Sequence, residues 1–237
     1  MIPSPPPEVA PGVHAVQGFP ARCNVYLLRD GDGVTVFDAG ARTMIAAVAQ
    51  AGVALGGIKR VVLGHGHTDH RGTAPYLGAP VLCHPDARGD AEGSGGFAYW
   101  GEGLPRLPLP ERLLHRWLHR RFWDGGPVRI AGTVQEGEDV AGFRVVLLPG
   151  HAPGQIALYR EHDGLALTTD VFYVVDRLGR DCAPEIPMLA YNYDTPQAAA
   201  SIRALAELGP ATCLPGHGRP VRGDVAGKLR RAADAVG

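Results

Sequence analysis

The sequence predicts an α/β chain in which two β-sheets pack together with helices on the outside. Short apolar, β-rich runs recur in both halves of the chain, and stretches with helical spacing lie between them, which suits a layered arrangement. The 33 glycines and 21 prolines among 237 residues make a turn-rich chain, as many short strands require. No short-period repeat is visible, so solenoids and propellers are unsuited. The length sits near the upper end for one domain, and residues 1–237 are read as a single domain.

After the Pro-rich start "MIPSPPPEVAPG", the run "NVYLLRDGDGVTVFDAG" reads as a hairpin around Asp30-Gly31-Asp32-Gly33, where glycine supplies the positive φ of a tight turn. It ends at Asp38-Ala39-Gly40. "TMIAAVAQAGV" has helical spacing and stops near Gly52, and "IKRVVLG" is a short buried strand. The stretch "GHGHTDHRG" follows at its C-terminal end, on a loop leading to a helix through "RGTAPYLG". "APVLCHP" is another strand. From about residue 86 to 128 strand alternation is lost; "GSGG", "LPRLPLP" and the basic amphipathic "ERLLHRWLHRRFW" read as an insertion with one helix. Strands return in "FRVVLLPG", "QIALYRE" and "GLALTTD". Helix "TPQAAASIRALAELG", strand "ATCLPG" and a terminal helix from about Asp224 complete the order.

With 23 basic and 24 acidic residues the net charge is −1, so no global field favours nucleic acid or an anionic membrane. A small-molecule substrate is expected. Cys23, Cys83, Cys182 and Cys213 form no CxxC pair, which argues against a redox motif or a four-cysteine zinc knuckle and suits reduced, mostly buried thiols. The N-terminus has neither a basic n-region nor an apolar h-region, and nowhere do about 18 apolar residues run together. A cytoplasmic location is expected.

His65, His67, Asp69 and His70 occupy six positions of one turn. An extended backbone at His65 and His67 puts both imidazoles on one side of the chain, and Asp69 and His70 address a second point. These are too many donors for one tetrahedral zinc, and two adjacent metals fit better. Three more strand ends carry donors: His151 in "LLPGHAPGQ", Asp170 in "ALTTDVFY" and His217 in "CLPGHGRP". All can converge on one edge of a layered sheet, where loop-built active sites sit.

The His-x-His-x-Asp-His loop, the Gly-His-Ala-Pro-Gly-Gln segment, the strand-end Asp170 and the final Pro-Gly-His-Gly resemble the metallo-β-lactamase superfamily, in its glyoxalase II-like and lactonase-like branch. The resemblance runs from about Val13 to Pro220, excluding the insertion. It implies a four-layer αββα sandwich with a dinuclear site at one edge. One metal would be held by His65, His67 and His151 and the other by Asp69, His70 and His217, with Asp170 bridging. Two divalent ions, two aspartates and a bridging hydroxide leave a charge of about +1, suited to an anionic tetrahedral intermediate. Such a hydroxide would attack an ester-like carbonyl, a thioester or lactone, with Asp69 orienting it. Tyr173, three residues after Asp170, stands at an offset similar to that of a tyrosine assisting ring opening in lactonases; a core tyrosine is the alternative. Asp38 is either a partner orienting a histidine ligand or a plain turn aspartate.

Asp170 and His67 set the chain apart from the antibiotic-degrading β-lactamases and from the diiron flavoprotein branch. Only 20 residues follow His217, where glyoxalase II carries a further helical region, and Gly64 and Arg71 depart from the usual pattern. In the insertion, Leu113, Leu114, Trp117, Leu118 and Phe122 share an apolar helical stripe, with Arg112, Arg116, His119 and Arg120 largely elsewhere. It reads as a lid whose arginines meet an acidic substrate, as a homodimer contact, or as an ordinary packed helix. His115 and His119 lack the glutamate of a second zinc motif. Two zinc ions are the expected cofactors, with iron or manganese as substitutes. The rival readings are a persulfide dioxygenase with one Fe(II) on His65, His151 and Asp170, and a silent metal-dependent binding module.

Overall fold

The computed structural model describes residues 3–19, 21–96, 108–176 and 178–235. Among these, seven strands form one sheet in sequence order: β1 (Glu8–Ala10), β2 (Val13–Gly18), β3 (Cys23–Asp30), β4 (Gly33–Phe37), β5 (Ile58–Val62), β6 (Val81–Cys83) and β7 (Ile130–Thr133). The first four pair antiparallel and β4 to β7 parallel. A second sheet takes β8 (Asp139–Val140), β9 (Phe143–Leu147), β10 (Ile156–Arg160), β11 (Leu165–Thr169), β14 (Thr212–Pro215) and β15 (Val221–Arg222) in the order β15-β14-β11-β10-β9-β8. Between them in sequence, β12 (Tyr173–Val175) and β13 (Asp181–Glu185) make a separate ribbon.

Side-chain alternation along the strands builds four layers. Tyr26 and Leu28 of β3 face the second sheet and meet Val145, Ile156, Leu158 and Leu167 in the core between the sheets. Val25 and Leu27 face the other way, onto Val48, Ala51 and Leu55 at helix α1 (Ile45–Ala54). On the far side, Val146, Ala157 and Ala166 meet Ile202 and Leu205 of helix α5 (Thr195–Glu207) and Leu229 of helix α6 (Val225–Asp234). Each fully buried aliphatic side chain stabilises these layers by about 1.5–3 kcal/mol. Asp194 accepts from the Gln197 amide at 2.9 Å and Asp224 from the Gly227 amide at 3.2 Å, capping the two outer helices.

The remaining helices are α2 (Thr68–Arg71), α3 (Arg88–Glu92) and α4 (Leu109–Leu118), the last continuing as a π-helical turn, His119–Trp123. Helix α1 does end near Gly52, at Ala54, and the missing Cβ of Gly52 leaves room for Ile58, whose Cγ1 would lie 2.4 Å from it. Several expectations are corrected. The helix expected after the histidine turn begins inside it, at Thr68, and "APY" makes only a 3-10 turn. The Pro-rich start holds strand β1, with β2 directly behind it, paired through Glu8 and His14. Ala87 and Ala91 belong to the core beside α1, so the segment from residue 86 to α3 is part of the body. The stretch 97–107 of the anticipated insertion lies outside the described residues.

Candidate metal centre

Four strands end at one edge and deliver the histidines and aspartates there. His65 lies in a bend after β5, and His67, in extended backbone, opens α2, which carries Asp69 and His70. His151 follows β9, Asp170 directly follows β11, and His217 follows β14, the parallel neighbour of β11. The amide of Gly216 donates to Thr169 O at 2.7 Å and that of Ile156 to Gly64 O at 2.8 Å, tying the strand ends together. Gly216 admits no side chain, since a Cβ there would lie 2.2 Å from Asp170 Oδ1.

The seven anticipated donors come together in two groups. His65, His67 and His151 each offer a ring nitrogen within 4.8 Å of the others, His151 Nε2 lying 3.1 Å from His67 Nδ1. His70 Nε2 lies 3.2 Å from His217 Nε2, and Asp69 Oδ2 lies 3.5 Å from the same His217 nitrogen. Asp170 Oδ2 stands between the groups, 3.2 Å from His70, 3.5 Å from His217 and 3.6 Å from His151.

A second ring of residues fixes which nitrogen of each imidazole carries a proton. The Nδ1–H of His70 donates to Asp38 Oδ2 at 3.0 Å. Thr169 donates its hydroxyl to the same oxygen at 2.7 Å, so its oxygen accepts from His65 Nδ1–H at 3.0 Å. Asn192 donates its amide to Pro187 O at 2.8 Å, which turns Oδ1 toward His151 Nδ1–H at 3.0 Å. With Nδ1 protonated in all three rings, the Nε2 lone pairs of His65, His70 and His151 face inward. His65 Nε2 and Asp170 Oδ1 are buried without a hydrogen-bond partner. A buried set of converging lone pairs and carboxylate oxygens fits divalent cations, which would meet imidazole and carboxylate donors of the borderline kind such ions accept.

The second ring is strained. Asp38 has φ 56° and Thr169 has φ 42°, unusual for residues with a Cβ and most of all for a β-branched one. Asp38 also accepts from the Gly64 amide at 2.7 Å, so its two oxygens hold the metal-binding turn and β11 in one register.

Charge divides the two groups. Burial, with His70 and His67 nearby, holds His65 well below the usual imidazole range; burial and His151 do the same to His67, and burial lowers His151. Burial also opposes charge on His70 and His217, but Asp170 with Asp38 holds His70 well above the usual range, and Asp170 with Asp69 raises His217 to about 9. Against the same burial, His70 and His217 keep both Asp170 and Asp69 ionised. The surroundings of the first group therefore favour neutral rings and those of His70 and His217 favour positive charge, and a cation there would displace the Nε2 protons to reach the lone pairs.

A cavity of about 320 Å³ opens over this edge, lined by His67, Asp69, Asp170 and His217 below and by Leu114, His115, Leu118 and Trp123 of α4 and its π turn above. The Tyr173 ring packs against His151 and His217, with centroids 5.8 and 5.9 Å away. Helix α4 thus covers the site, but Arg112, Arg116 and Arg120 are not among the described residues lining the cavity, which speaks against the one alternative in which those arginines meet the substrate. Leu113, Leu114 and Trp117 of the stripe are largely exposed, because the helix meets the body only along a narrow edge that runs through Leu118. Arg71, a departure from the family pattern, is fully buried; it donates to Asp90 O at 2.8 Å and to Ala91 O, and pairs with Asp124 at 3.3 Å. It ties the histidine turn to α3 and to the segment after the π turn. Thr169 and Asn192 escaped the sequence reading. The doubled threonine before Asp170 hints at the first, and nothing local signals the second.

Residues 18–217 match the sequence profile described as "Metallo-beta-lactamase superfamily". The "Probable metallo-hydrolase YqjP" of Bacillus subtilis (strain 168) is 27% identical over 227 residues, covering 83% of this chain and 67% of that protein. Among solved structures, the metallo-beta-lactamase family protein TTHA1429 from Thermus thermophilus matches with TM-score 0.68 at 24% identity, over 97% of this chain and 79% of that one. TTHA1623, solved in a di-iron-bound form, matches with TM-score 0.66 at 24% identity, over 93% and 98%. At such identities the structural likeness speaks for the fold alone.

Proposed function

The chain belongs to the metallo-beta-lactamase superfamily, and from that premise we propose that it is a hydrolase of ester-like carbonyls, thioesters or lactones, working with two metal ions. In this reading His65, His67 and His151 would hold one ion and Asp69, His70 and His217 the other, with Asp170 as a donor that could serve both. The observation that carries it is the position of Asp170 Oδ2, within 3.6 Å of a nitrogen from each group, while outer partners turn three Nε2 lone pairs inward. Divalent ions bound there would supply Lewis acidity and bring the pKa of water from about 15.7 toward 7. Zinc is the proposed occupant for a histidine-rich hydrolytic site; the di-iron form of TTHA1623 makes iron the first substitute to examine.

The protein's own groups do the rest. Asp69, kept ionised by His70 and His217 despite burial, accepts a proton contact from the attacking water and orients it. Tyr173 keeps its proton, because burial and the neighbouring Asp170 push the phenol well above its usual range, so it donates to the carbonyl or leaving oxygen. Leu114, Leu118 and Trp123 exclude water from above.

Metal-replete protein assayed against thioester, lactone and aryl ester panels tests this reading. Turnover of at least one class is expected, with Tyr173→Phe about 10- to 100-fold slower, the loss of one hydrogen bond to a developing charge. A folded, metal-loaded sample inactive on all three classes would end it. Oxygen consumption with a persulfide by an iron-loaded sample would replace it with sulfur oxidation.

A further inference from the structure

Exposed apolar side chains gather where the cavity opens. Of the ten large ones exposed among the described residues, Leu109, Leu113, Leu114 and Trp117 belong to α4, and Phe19 and Leu178 line the cavity. Leu109, Leu113 and Trp117 recur every fourth residue, so they share one face of the helix. That face points away from the body, with Leu113 60% and Trp117 56% exposed, whereas His119 in the π turn is buried. The Trp117 ring continues the face to Phe122, centroids 5.2 Å apart, and Phe122 meets Phe19 at 6.1 Å. An apolar ridge thus runs from α4 to the rim of the cavity. Cations border it. Arg112 stands at its edge, and Arg120 and Arg121 follow in the π turn, the Arg121 guanidinium carbon 5.2 Å from the centre of the Phe122 ring. None of these three forms an ion pair among the described residues, and Glu111 is the only acid between residues 109 and 123. Arg60, Arg88 and Arg144, in contrast, each pair with a carboxylate. The net charge of −1 gives the whole chain no field, so the cluster acts locally.

We propose that α4 is an interfacial helix that seats the cavity mouth on an anionic lipid surface. Leucine and aromatic side chains on one face with arginines along its border is the composition that lies in the plane of a bilayer, rings and aliphatic chains among the upper acyl carbons and guanidinium groups on the head-group phosphates. No described helix is long and apolar enough to cross a membrane, so the contact is with the surface. The feature is a ridge, raised because the body covers only one edge of α4, and a flat fluid surface takes a ridge without a matching groove. A second copy fits less well. A two-fold contact pairs the stripe with itself and so sets arginine against arginine. Seated on lipid, the mouth lined by Phe19, Leu114 and Leu178 opens into the apolar layer, and an apolar substrate held there would reach the metal edge without crossing water. The inference goes beyond the hydrolase reading and does not depend on it, since the contact needs no turnover.

Sedimentation of the full, metal-replete chain with lipid vesicles tests it. Wild type should go down with vesicles of equal parts phosphatidylglycerol and phosphatidylcholine, stay in solution with phosphatidylcholine alone, and be released by high salt. The triple variant Arg112→Gln, Arg120→Gln, Arg121→Gln should bind about 100-fold more weakly, at roughly fivefold per arginine. The double variant Leu113→Asn, Trp117→Asn keeps every cation and should bind at least about 10-fold more weakly. Tryptophan emission should shift to the blue on the mixed vesicles, and Trp117→Phe should lose most of that shift while still binding. None of these side chains lines the cavity, and circular dichroism and urea midpoints matched to wild type establish that each variant folds. No uptake of wild type, equal uptake by both kinds of vesicle, or unchanged affinity in either multiple variant would overturn the inference. A wild-type dimer that the Leu113→Asn, Trp117→Asn variant splits, with no uptake by vesicles, would also overturn it and assign the ridge to a second copy. Turnover enters none of these readings, so the hydrolase reading stands or falls separately.

Discussion

Replacing Asp38 by Asn changes one atom of a buried side chain and should weaken one metal position. Asp38 Oδ1 accepts from the Gly64 amide at 2.7 Å, and Oδ2 accepts from Thr169 at 2.7 Å and from His70 Nδ1–H at 3.0 Å. Asparagine has one oxygen for three donors. If that oxygen stays on Gly64, the new NH₂ faces His70, which must move its proton from Nδ1 to Nε2 and so present an N–H where a ligand lone pair is needed. If the amide turns over, its NH₂ meets the Gly64 N–H instead. Either arrangement leaves a buried polar conflict of about 1–3 kcal/mol and removes the charge from the bond to His70. Outer partners of metal ligands typically change affinity about 10- to 100-fold, or about 1.4–2.7 kcal/mol, so the loss at the Asp69–His70–His217 position should fall in that range. Competition with a chromogenic chelator reads the two affinities separately. The reasoning is refuted if Asp38→Asn binds its second ion within about threefold of wild type, or if the His65–His67–His151 position weakens more than its neighbour.

Three further outcomes follow from the same geometry. Thr169→Val keeps the shape but strips His65 of its acceptor and Asp38 of a donor; it should weaken the first position about 10- to 100-fold, measured by the same competition. Arg71→Met leaves Asp124 and two carbonyls without their donor and should cost about 2–4 kcal/mol, seen as a lower urea midpoint at unchanged slope. Acid should strip the positions in order. Protons compete with cations for ligand nitrogens, and a raised pKa lets the proton win at higher pH. His70 is raised and His217 stands at about 9, whereas His65, His67 and His151 are lowered, so the second position empties first as pH falls. Metal content after gel filtration should drop from about two toward one before the first position responds, and simultaneous loss would contradict this order.

What the sequence made legible was local in origin. Each donor follows an apolar run and sits beside a glycine or polar turn, so the strand ends could be read one by one, and β9, β10, β11 and β14 lie where their patterns put them. What it hid depends on contacts between distant segments. Thr169 reaches His65 and Asp38 across 104 and 131 residues, and His115 reaches Tyr191 across 76. Arg71 stands out in sequence only as a departure from the usual pattern, since nothing near it announces the Asp124 carboxylate and the carbonyls of α3 that let it be buried. Helix α2 is a single turn, shorter than any periodicity window, and β1 was obscured by prolines that edge strands tolerate. The amphipathic pattern of α4 marked a helix but left open whether it covers the site and which residues face the cavity, because the body covers only one edge of it.

The central claim is that seven side chains hold two ions, and counting the ions tests it most directly. Protein purified without tag, chelator or added metal, then titrated with zinc and freed of excess by gel filtration, should retain about two ions per chain by elemental analysis. Substituting His65 or His217 by alanine should each remove one. Saturation at one ion in the wild-type protein, or retention of two after His217→Ala, would contradict the dinuclear account.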